Sequence, residues 1–211
     1  NRNKLTEMPN LWGYARDRGP AGTRNHVVVI GMTSRSSAFV TELARRLARG
    51  DHPAFDGVVP VAHTEAGEQR RPNNARFVLS AMSGFLLHPN VGAVLLVDEP
   101  GDAVSGEDVR AFMRERRYPE VAVPHAFFTR RAGFEEDLET AARLVDRWIP
   151  GVAAQQRTEQ PLSDLRIALQ CGGSDAFSGI TANPALGIAS DMLVGLRGTA
   201  ILAETPEIYG A

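Results

Sequence analysis

Short apolar runs alternate with amphipathic segments along most of this chain, and this alternation limits the folds open to it. Residues 27–30 and 91–97 contain only apolar residues and glycine, as is typical of strands buried on both faces of a sheet. Residues 36–48, which follow the first run, carry apolar side chains at helical spacing. The alternation predicts an α/β fold, a mostly parallel, doubly wound (Rossmann-like) sheet with helices on both faces.

The same criteria assign each strand and helix. Strands are predicted at 27–30, 57–62, 91–97, 121–123, 166–169 and 199–203. Helices are predicted at 36–48, 74–87, 105–117 and 133–148, and a last one opens with Asn183 as N-cap and closes at Gly198. Ser105 is the predicted N-cap of its helix, with Asp108 three residues later in a variant of the capping box.

These elements divide the chain into four parts. Residues 1–25 form a polar N-terminal arm, and residues 26–149 form the α/β core. Residues 150–164, rich in proline and polar side chains, are a connecting segment. Residues 165–211 form a final β-loop-α-β unit. With 211 residues, the chain is long enough to bury a substantial core.

Composition excludes several classes of function. The 23 Lys and Arg residues are balanced by 25 Asp and Glu residues, so no basic surface for nucleic acid is expected. No apolar run approaches the ~20 residues of a membrane span, so no membrane partner is expected. The single cysteine, Cys171, excludes an internal disulfide framework and indicates a cytoplasmic location. The sequence leaves open whether the chain forms a homo-oligomer.

Polar residues follow the predicted strands where a parallel sheet binds its ligands. His63 follows the second strand, 98–102 the third, 171–175 the fifth, and Glu204 and Glu207 the sixth. Ligands of open α/β sheets bind beyond the carboxyl ends of the strands. These residues are therefore expected to converge at one edge of the sheet.

The loop after the fifth strand concentrates this chemistry. It contains the Cys171 thiol, a glycine pair and the Asp175 carboxylate. Glycines let the backbone approach a ligand closely, and successive N–H groups can form an anion-binding nest. The loop therefore suits an oxygen-rich, anionic small molecule. The alternatives are that the glycine pair forms a plain turn, that Cys171 is simply a buried residue, and that Asn183 only caps a helix.

Five segments together resemble one known family. They are Gly13–Asn25, the His88-Pro-Asn-Val91 turn, the Cys171-Gly-Gly-Ser-Asp175 loop, Gly179–Gly187, and Glu204–Ala211. The chain resembles the altronate/galactarate dehydratase family over residues 12–211. The resemblance implies a cytoplasmic hydro-lyase that acts on a hexonate or hexarate and uses ferrous iron (Fe2+). A sulfolactate-cleaving branch of the family also exists. Family members are longer, so residue 211 is expected to be a boundary within a longer protein.

The chain departs from the family pattern at three positions. Where the family usually has cysteine, this chain has Arg35, Gly67 and Gly101. Cys171 keeps the fourth cysteine position and is the candidate metal ligand. The loss of three thiols means that iron cannot be bound here in the same way as in the rest of the family.

Dehydration of a 2,3-dihydroxy acid removes the proton next to the carboxylate and expels the β-hydroxyl group, which requires a base and an acid. The candidate catalytic residues are Asp175, His63, Glu204 and Glu207. The candidate substrate-binding residues are Arg24, Asn25, Gly172, Gly173, Ser174, Ser178, Thr181 and Asn183. The expected partner is a small acidic sugar. The alternative is a non-catalytic or repurposed relative that binds a small polyhydroxy acid.

Overall fold

The structure, a computed structural model, describes residues 10–48, 55–67, 70–170, 172 and 175–203. The chain divides into two compact units, one formed by Tyr14–Arg157 and the other by residues 1–13 with 158–211. We refer to them as the central unit and the flanking unit. Over the described residues, no helix combines the length and the apolar character that a membrane crossing requires.

The central unit is built on a four-stranded parallel sheet. Its strands are β2 (His26–Gly31), β3 (Val58–Val61), β4 (Val91–Asp98) and β5 (His125–Thr129), in the spatial order β3-β2-β4-β5. Every residue of β4 is buried, as expected for a central strand covered on both faces. The predicted α/β class and the parallel sheet are therefore confirmed.

Helices cover both faces of this sheet. They are α1 (Ser37–Leu47), α2 (Ala75–Leu86), α3 (Gly106–Glu115), α4 (Phe134–Asp146) and the short α5 (Ile149–Ala153). Alternate residues of β2 and β4 pack into two separate cores, one with α2 and α3 and the other with α1 and α4. The chain thus winds outward in both directions from the adjacent strands β2 and β4, whose carboxyl ends form the topological switch point of the sheet.

The predicted capping box is confirmed, and one predicted strand needs correction. Ser105 and Asp108 form a complete capping box at the start of α3. The strand predicted at 121–123 was wrong, because this stretch is irregular and the strand lies at His125–Thr129 instead. The prediction followed apolar character, whereas β5 is an edge strand with half-buried side chains.

The opening motif and the His-Pro-Asn turn join at the amino edge of the sheet. The Asn90 side-chain oxygen accepts hydrogen bonds from the backbone N–H groups of Thr23 and Arg24, at 2.8 and 3.1 Å. A Cβ atom on Gly22 would lie 2.1 Å from the Pro89 carbonyl oxygen, so this contact requires glycine. The two motifs therefore form one structural unit.

Over its described residues, the flanking unit contains two small sheets and two α-helices. Strand β1 (Asn10–Gly13) pairs antiparallel with β6 (Thr158–Pro161), and β7 (Arg166–Leu169) pairs parallel with β8 (Thr199–Leu202). Between β7 and β8 lie α6 (Ala176–Ile180) and α7 (Ala182–Gly195). Strands β1 and β6 were not predicted, because β6 is polar and largely exposed.

Asn183 does not cap the last helix. Thr181 is the N-cap residue of α7 and Asn183 is its second residue. The helix is closed by a Schellman motif, in which Gly198 N–H donates to Leu193 O and Arg197 N–H to Val194 O. Leu193 is its buried residue, while Ile188 and Met192 are exposed.

Candidate functional site

The carboxyl edge of the central sheet carries a cluster of charged residues at the switch point. The Arg35 guanidinium lies 3.0 Å from a carboxylate oxygen of Asp102 and 3.0 Å from one of Glu99. Arg130, which follows β5, forms a short ion pair with the other oxygen of Glu99. Thr33 donates its hydroxyl proton to Asp102 at 3.1 Å. We refer to Arg35, Glu99, Asp102 and Arg130 as the edge cluster.

Burial makes the pairing in the edge cluster obligatory. The Asp102 side chain is completely inaccessible to solvent, and a buried carboxylate without partners would be strongly unfavourable. Its second oxygen accepts the backbone N–H of Glu99 at 2.8 Å. The Arg130 guanidinium lies 4.5 Å above the Phe39 ring, which holds it in a cation–π contact. The cluster is thus a compact, charge-balanced network between the ends of β2, β4 and β5.

His63 lies at this same edge, but backbone groups contact both of its ring nitrogens. Nδ1 accepts the N–H of Glu65 at 3.1 Å, and Nε2 lies 2.8 Å from the carbonyl oxygen of Gly31. Because a backbone N–H needs an acceptor and a carbonyl needs a donor, this geometry requires the neutral tautomer with its proton on Nε2. To act as a base, His63 would have to release one of these bonds.

Arg24 and Asn25 lie at the start of β2, at the opposite edge of the sheet from His63. The Asn25 side chain is buried; its amide nitrogen donates to Val152 O at 2.9 Å and its oxygen accepts from Arg16 at 3.0 Å. Arg24 is largely exposed and lies 3.8 Å from Asp56. The structure therefore gives Asn25 a structural role at the amino edge and does not bring it together with His63.

Polar residues that follow β7 form hydrogen bonds with their neighbours in the chain. Asp175 is the N-cap of α6, and its Oδ1 accepts the backbone N–H groups of Phe177 and Ser178, both at 2.8 Å. The hydroxyl of Ser178 donates back to Asp175 O, and that of Thr181 donates to Phe177 O. A Cβ atom on Gly172 would meet no atom of the described residues within 4 Å, so none of them blocks approach to the backbone there.

Several predicted residues of this region lie outside the described residues. They are Cys171, Gly173, Ser174, Glu204 and Glu207. The convergence expected between these residues and His63 therefore stays a prediction.

The described part of the edge cluster does not fit a metal ion. Glu99 and Asp102 are each bound by a guanidinium group, so their oxygens are already engaged. Across the described residues, no group of three His, Cys, Asp or Glu side chains is arranged to hold a metal. The edge cluster itself is therefore an ion-pair network.

Comparison with known proteins identifies the family. The sequence model described as "D-galactarate dehydratase/Altronate hydrolase, second domain" matches residues 13–153. A second, "D-galactarate/Altronate dehydratase, C-terminal", matches residues 162–211. This chain belongs to the galactarate/altronate dehydratase family. The junction between the two matches lies close to the boundary between the two structural units at Arg157.

Individual relatives in the galactarate/altronate dehydratase family agree with this assignment. The altronate dehydratase of Bacillus subtilis is 30% identical over 205 residues, covering 94% of this chain and 39% of the relative. The galactarate dehydratase (L-threo-forming) of Escherichia coli is 34% identical over 133 residues, covering 59% and 25%. The (2R)-sulfolactate sulfo-lyase subunit beta of Chromohalobacter salexigens is 28% identical over 199 residues, covering 94% and 47%. The chain spans less than half the length of each.

The resemblance places three family cysteines at Arg35, Gly67 and Gly101, which follow β2, β3 and β4 at the carboxyl edge. Arg35 and Asp102, the neighbour of Gly101, are in direct contact. A Cβ atom on Gly67 would lie 2.0 Å from the hydroxyl oxygen of Ser34, so Ser34 fills the space beside this glycine. In this chain the region is therefore occupied by ion pairs and a serine.

Sequence reasoning missed Thr33 and Arg130 and regarded Arg35 only as a lost cysteine. The opposite charges of Arg35 and Asp102 were a usable signal, because the resemblance already placed both at cysteine-bearing loops. Arg130 was missed because the strand that positions it had been predicted several residues too early.

Proposed function

We propose that this chain is part of a hydro-lyase that acts on an acidic sugar such as a hexonate or hexarate. The observation that supports this most directly is its membership of the dehydratase family, with family matches over residues 13–153 and 162–211. The altronate and galactarate dehydratases among its relatives act on substrates of this class by name. The proposed activity is that of the whole protein.

The proposed reaction is the elimination of water. A base takes the proton from C2, the C3–O bond breaks as an acid protonates the leaving hydroxyl, and a C2=C3 double bond forms. The resulting enol then tautomerises to a 2-keto-3-deoxy acid. General acid and base catalysis of this kind contributes roughly 10²- to 10⁴-fold to the rate.

The loop after β7 is proposed to bind the substrate. Asp175 uses Oδ1 to cap α6, which fixes the orientation of its carboxylate. No described residue blocks approach to the backbone at Gly172. The proposed catalytic group comprises Asp175, His63, Glu204 and Glu207, with Cys171, Gly173, Ser174, Ser178, Thr181 and Asn183 contacting the substrate.

Ferrous iron is implied only by the family. Because the carboxylates of the edge cluster are bound by guanidinium groups, no step of the proposed reaction is routed through a metal at that edge. Cys171 is the proposed ligand should the full protein bind iron.

A direct test uses the full-length protein, purified under anaerobic conditions and supplied with ferrous iron or with a chelator. D-Altronate and galactarate are offered separately, and 2-keto-3-deoxy acid formation is measured.

The key variant is Asp175→Asn, which keeps an oxygen acceptor for the α6 cap while removing the charge. We expect kcat to fall about 100-fold at unchanged thermal stability. Asp191→Asn, an exposed carboxylate on α7, should retain the wild-type rate.

The alternative is a repurposed relative that binds a polyhydroxy acid without dehydrating it. The observation that favours this alternative is the contact between Arg35 and Asp102, which occupies the switch-point crevice. Binding of galactarate or D-altronate without product formation, with or without iron, would support this alternative over the hydro-lyase.

A further inference from the structure

A polar cavity lies at the carboxyl edge, on the α3 side of the sheet. It has a volume of about 320 Å³, and its walls come from the β4–α3 connection, α3 and β5. Three further carboxylates line it, and each is paired with arginine: Glu99, Asp102 and Glu107. Asp98 and Thr129 are register partners on neighbouring strands. Their side chains lie on the same face as Leu96 and Phe127, which belong to the core beneath α2 and α3. The cavity adjoins the edge cluster, because Glu99 and Asp102 also line it.

Asp98 in this cavity wall has an unsatisfied carboxylate oxygen. The residue is only 7% exposed. Its Oδ2 accepts the backbone N–H of Gly106 at 2.8 Å, while Oδ1 is buried and has no hydrogen-bond donor among the described residues. The two nearby arginines pair with Glu99 and Asp102 instead. Buried polar atoms of native proteins nearly always have a partner, so Oδ1 calls for a water molecule or a ligand hydroxyl.

Arg110 contributes a cation to the same cavity. Its guanidinium carbon lies 4.0 Å from the centre of the Phe127 ring, and one nitrogen lies 3.1 Å from Glu107. Its side chain is 47% exposed. Stacking on an aromatic face leaves the edge of a guanidinium group available for bidentate binding of a carboxylate.

We propose that this cavity is a subsite for a polyhydroxy carboxylate. Asp98 accepts a hydrogen bond from a ligand hydroxyl, Thr129 exchanges hydrogen bonds with a second hydroxyl, and Arg110 binds the carboxylate. The cavity lies at the lower end of the roughly 300–1,000 Å³ found for small-molecule sites, which suits a ligand of about six carbons. The proposal rests on the proposed function, because it names a contact site for the same acidic sugar.

The test measures binding to the full-length protein by calorimetry. The probes are galactarate and D-altronate, with adipate as the analogue without hydroxyls and galactitol as the one without carboxylates.

The matched pair of variants is Arg110→Gln and Arg114→Gln. Both arginines pair with Glu107, at 3.1 and 3.3 Å, but Arg110 lines the cavity and Arg114 does not. We expect Arg110→Gln to weaken binding of the sugar acids at least tenfold, roughly the effect of one charged hydrogen bond. Arg114→Gln should bind them as the wild type does.

Two further variants probe the hydroxyl contacts. Thr129→Val preserves the shape of the side chain and removes its hydroxyl, and Asp98→Asn keeps an oxygen acceptor for Gly106. Both should weaken galactarate binding while leaving the much weaker binding of adipate unchanged. If Asp98→Asn does not fold, Thr129→Val and Arg110→Gln still decide the question.

The subsite and the proposed function fail in different ways. Wild-type turnover with unchanged Kd and KM in Arg110→Gln and Thr129→Val would overturn the subsite and leave the hydro-lyase standing. Binding that these variants weaken, without turnover in any protein, would support the subsite and contradict the hydro-lyase. Absence of any binding of either sugar acid to the wild type would overturn the subsite.

Discussion

The guanidinium of Arg35 lies 3.0 Å from the fully buried carboxylate of Asp102. These residues follow β2 and β4, the adjacent strands from which the sheet winds in opposite directions. In doubly wound folds this crevice ordinarily receives the ligand. Here a pair of opposite charges joins its two sides, and Thr33 adds a hydrogen bond to the same carboxylate.

Replacing Arg35 should destabilise the protein substantially. Arg35→Ala removes the cation that faces Asp102, and charged hydrogen bonds to a buried partner contribute roughly 1.5–3 kcal/mol. Arg45→Ala is the control, because Arg45 forms an exposed pair with Glu42 on α1, and such pairs contribute about 0–1 kcal/mol. Urea unfolding of both variants measures the difference. Equal losses would show that burial of Asp102 does not strengthen its pairing.

Gly22 should not tolerate even a methyl group. In Gly22→Ala the new Cβ atom would lie 2.1 Å from the Pro89 carbonyl oxygen, and relieving such overlap typically costs about 1–3 kcal/mol. Gly84→Ala on α2, where a Cβ atom meets nothing within 4 Å, should instead stabilise by roughly 0.5–1 kcal/mol through helix propensity. Thermal unfolding should show shifts of opposite sign. A neutral Gly22→Ala would contradict the tight junction.

Arg117 is a position where glycine should be better than the natural residue. It closes α3 with φ +54° in the left-handed region, and Tyr118 N–H and Arg117 N–H form the two bonds of a Schellman motif. A left-handed non-glycine residue costs about 1 kcal/mol, so Arg117→Gly should raise the free energy of unfolding by roughly 0.5–1 kcal/mol. Arg116→Gly, at a right-handed position, should not. A loss of stability in Arg117→Gly would contradict the prediction.

The His-Pro-Asn turn should weaken in mild acid. His88 Nδ1 accepts the backbone N–H of Asn90 at 3.1 Å, and burial, followed by the nearby His26, lowers the pKa of His88. A group with a lowered pKa stabilises the fold above its unfolded pKa, near 6.5, and this contribution is lost as the pH falls through the folded value. The stability difference between wild type and His88→Gln should therefore shrink below about pH 6.5.

Denaturant titrations at several pH values would measure this change. His125→Gln is the matched control, since His125 is exposed and lies 3.0 Å from the carbonyl oxygen of Val123. A difference for His88→Gln that stays constant from pH 8 to 5 would argue against this role of the imidazole.

Burial decided which parts of the fold could be predicted from the sequence. Strands β2 and β4 are buried on both faces, so their apolar runs identified them. Strands β5 and β6 are half-buried or polar and gave no such signal. Phe77, in the helix predicted at 74–87, is 76% exposed, because Ala75, Val78, Leu79 and Met82 form the packed face of α2.

The positions of His63 and of the residues after β4 could be predicted, but their contacts could not. The rule for parallel sheets correctly placed His63 and the residues after β4 at one edge. The contact of Arg35 with Asp102 joins residues 67 positions apart, and local periodicity carries no information on such pairs. Similarly, the hydrogen bonds between the His63 ring and the backbone depend on the conformation of the loop after β3, which brings the ring to Gly31. The residue types of this loop do not by themselves specify that conformation.

The close approach of Gly22 to Pro89, together with the bonds from Thr23 and Arg24 to Asn90, has a consequence for how this sequence can vary. A change that adds bulk at one of these segments can be accommodated only by a matching change in the other, so the two should be inherited as a pair. A chimera with one of the dehydratase relatives should therefore exchange both segments at once, since swapping either alone would set incompatible surfaces against each other.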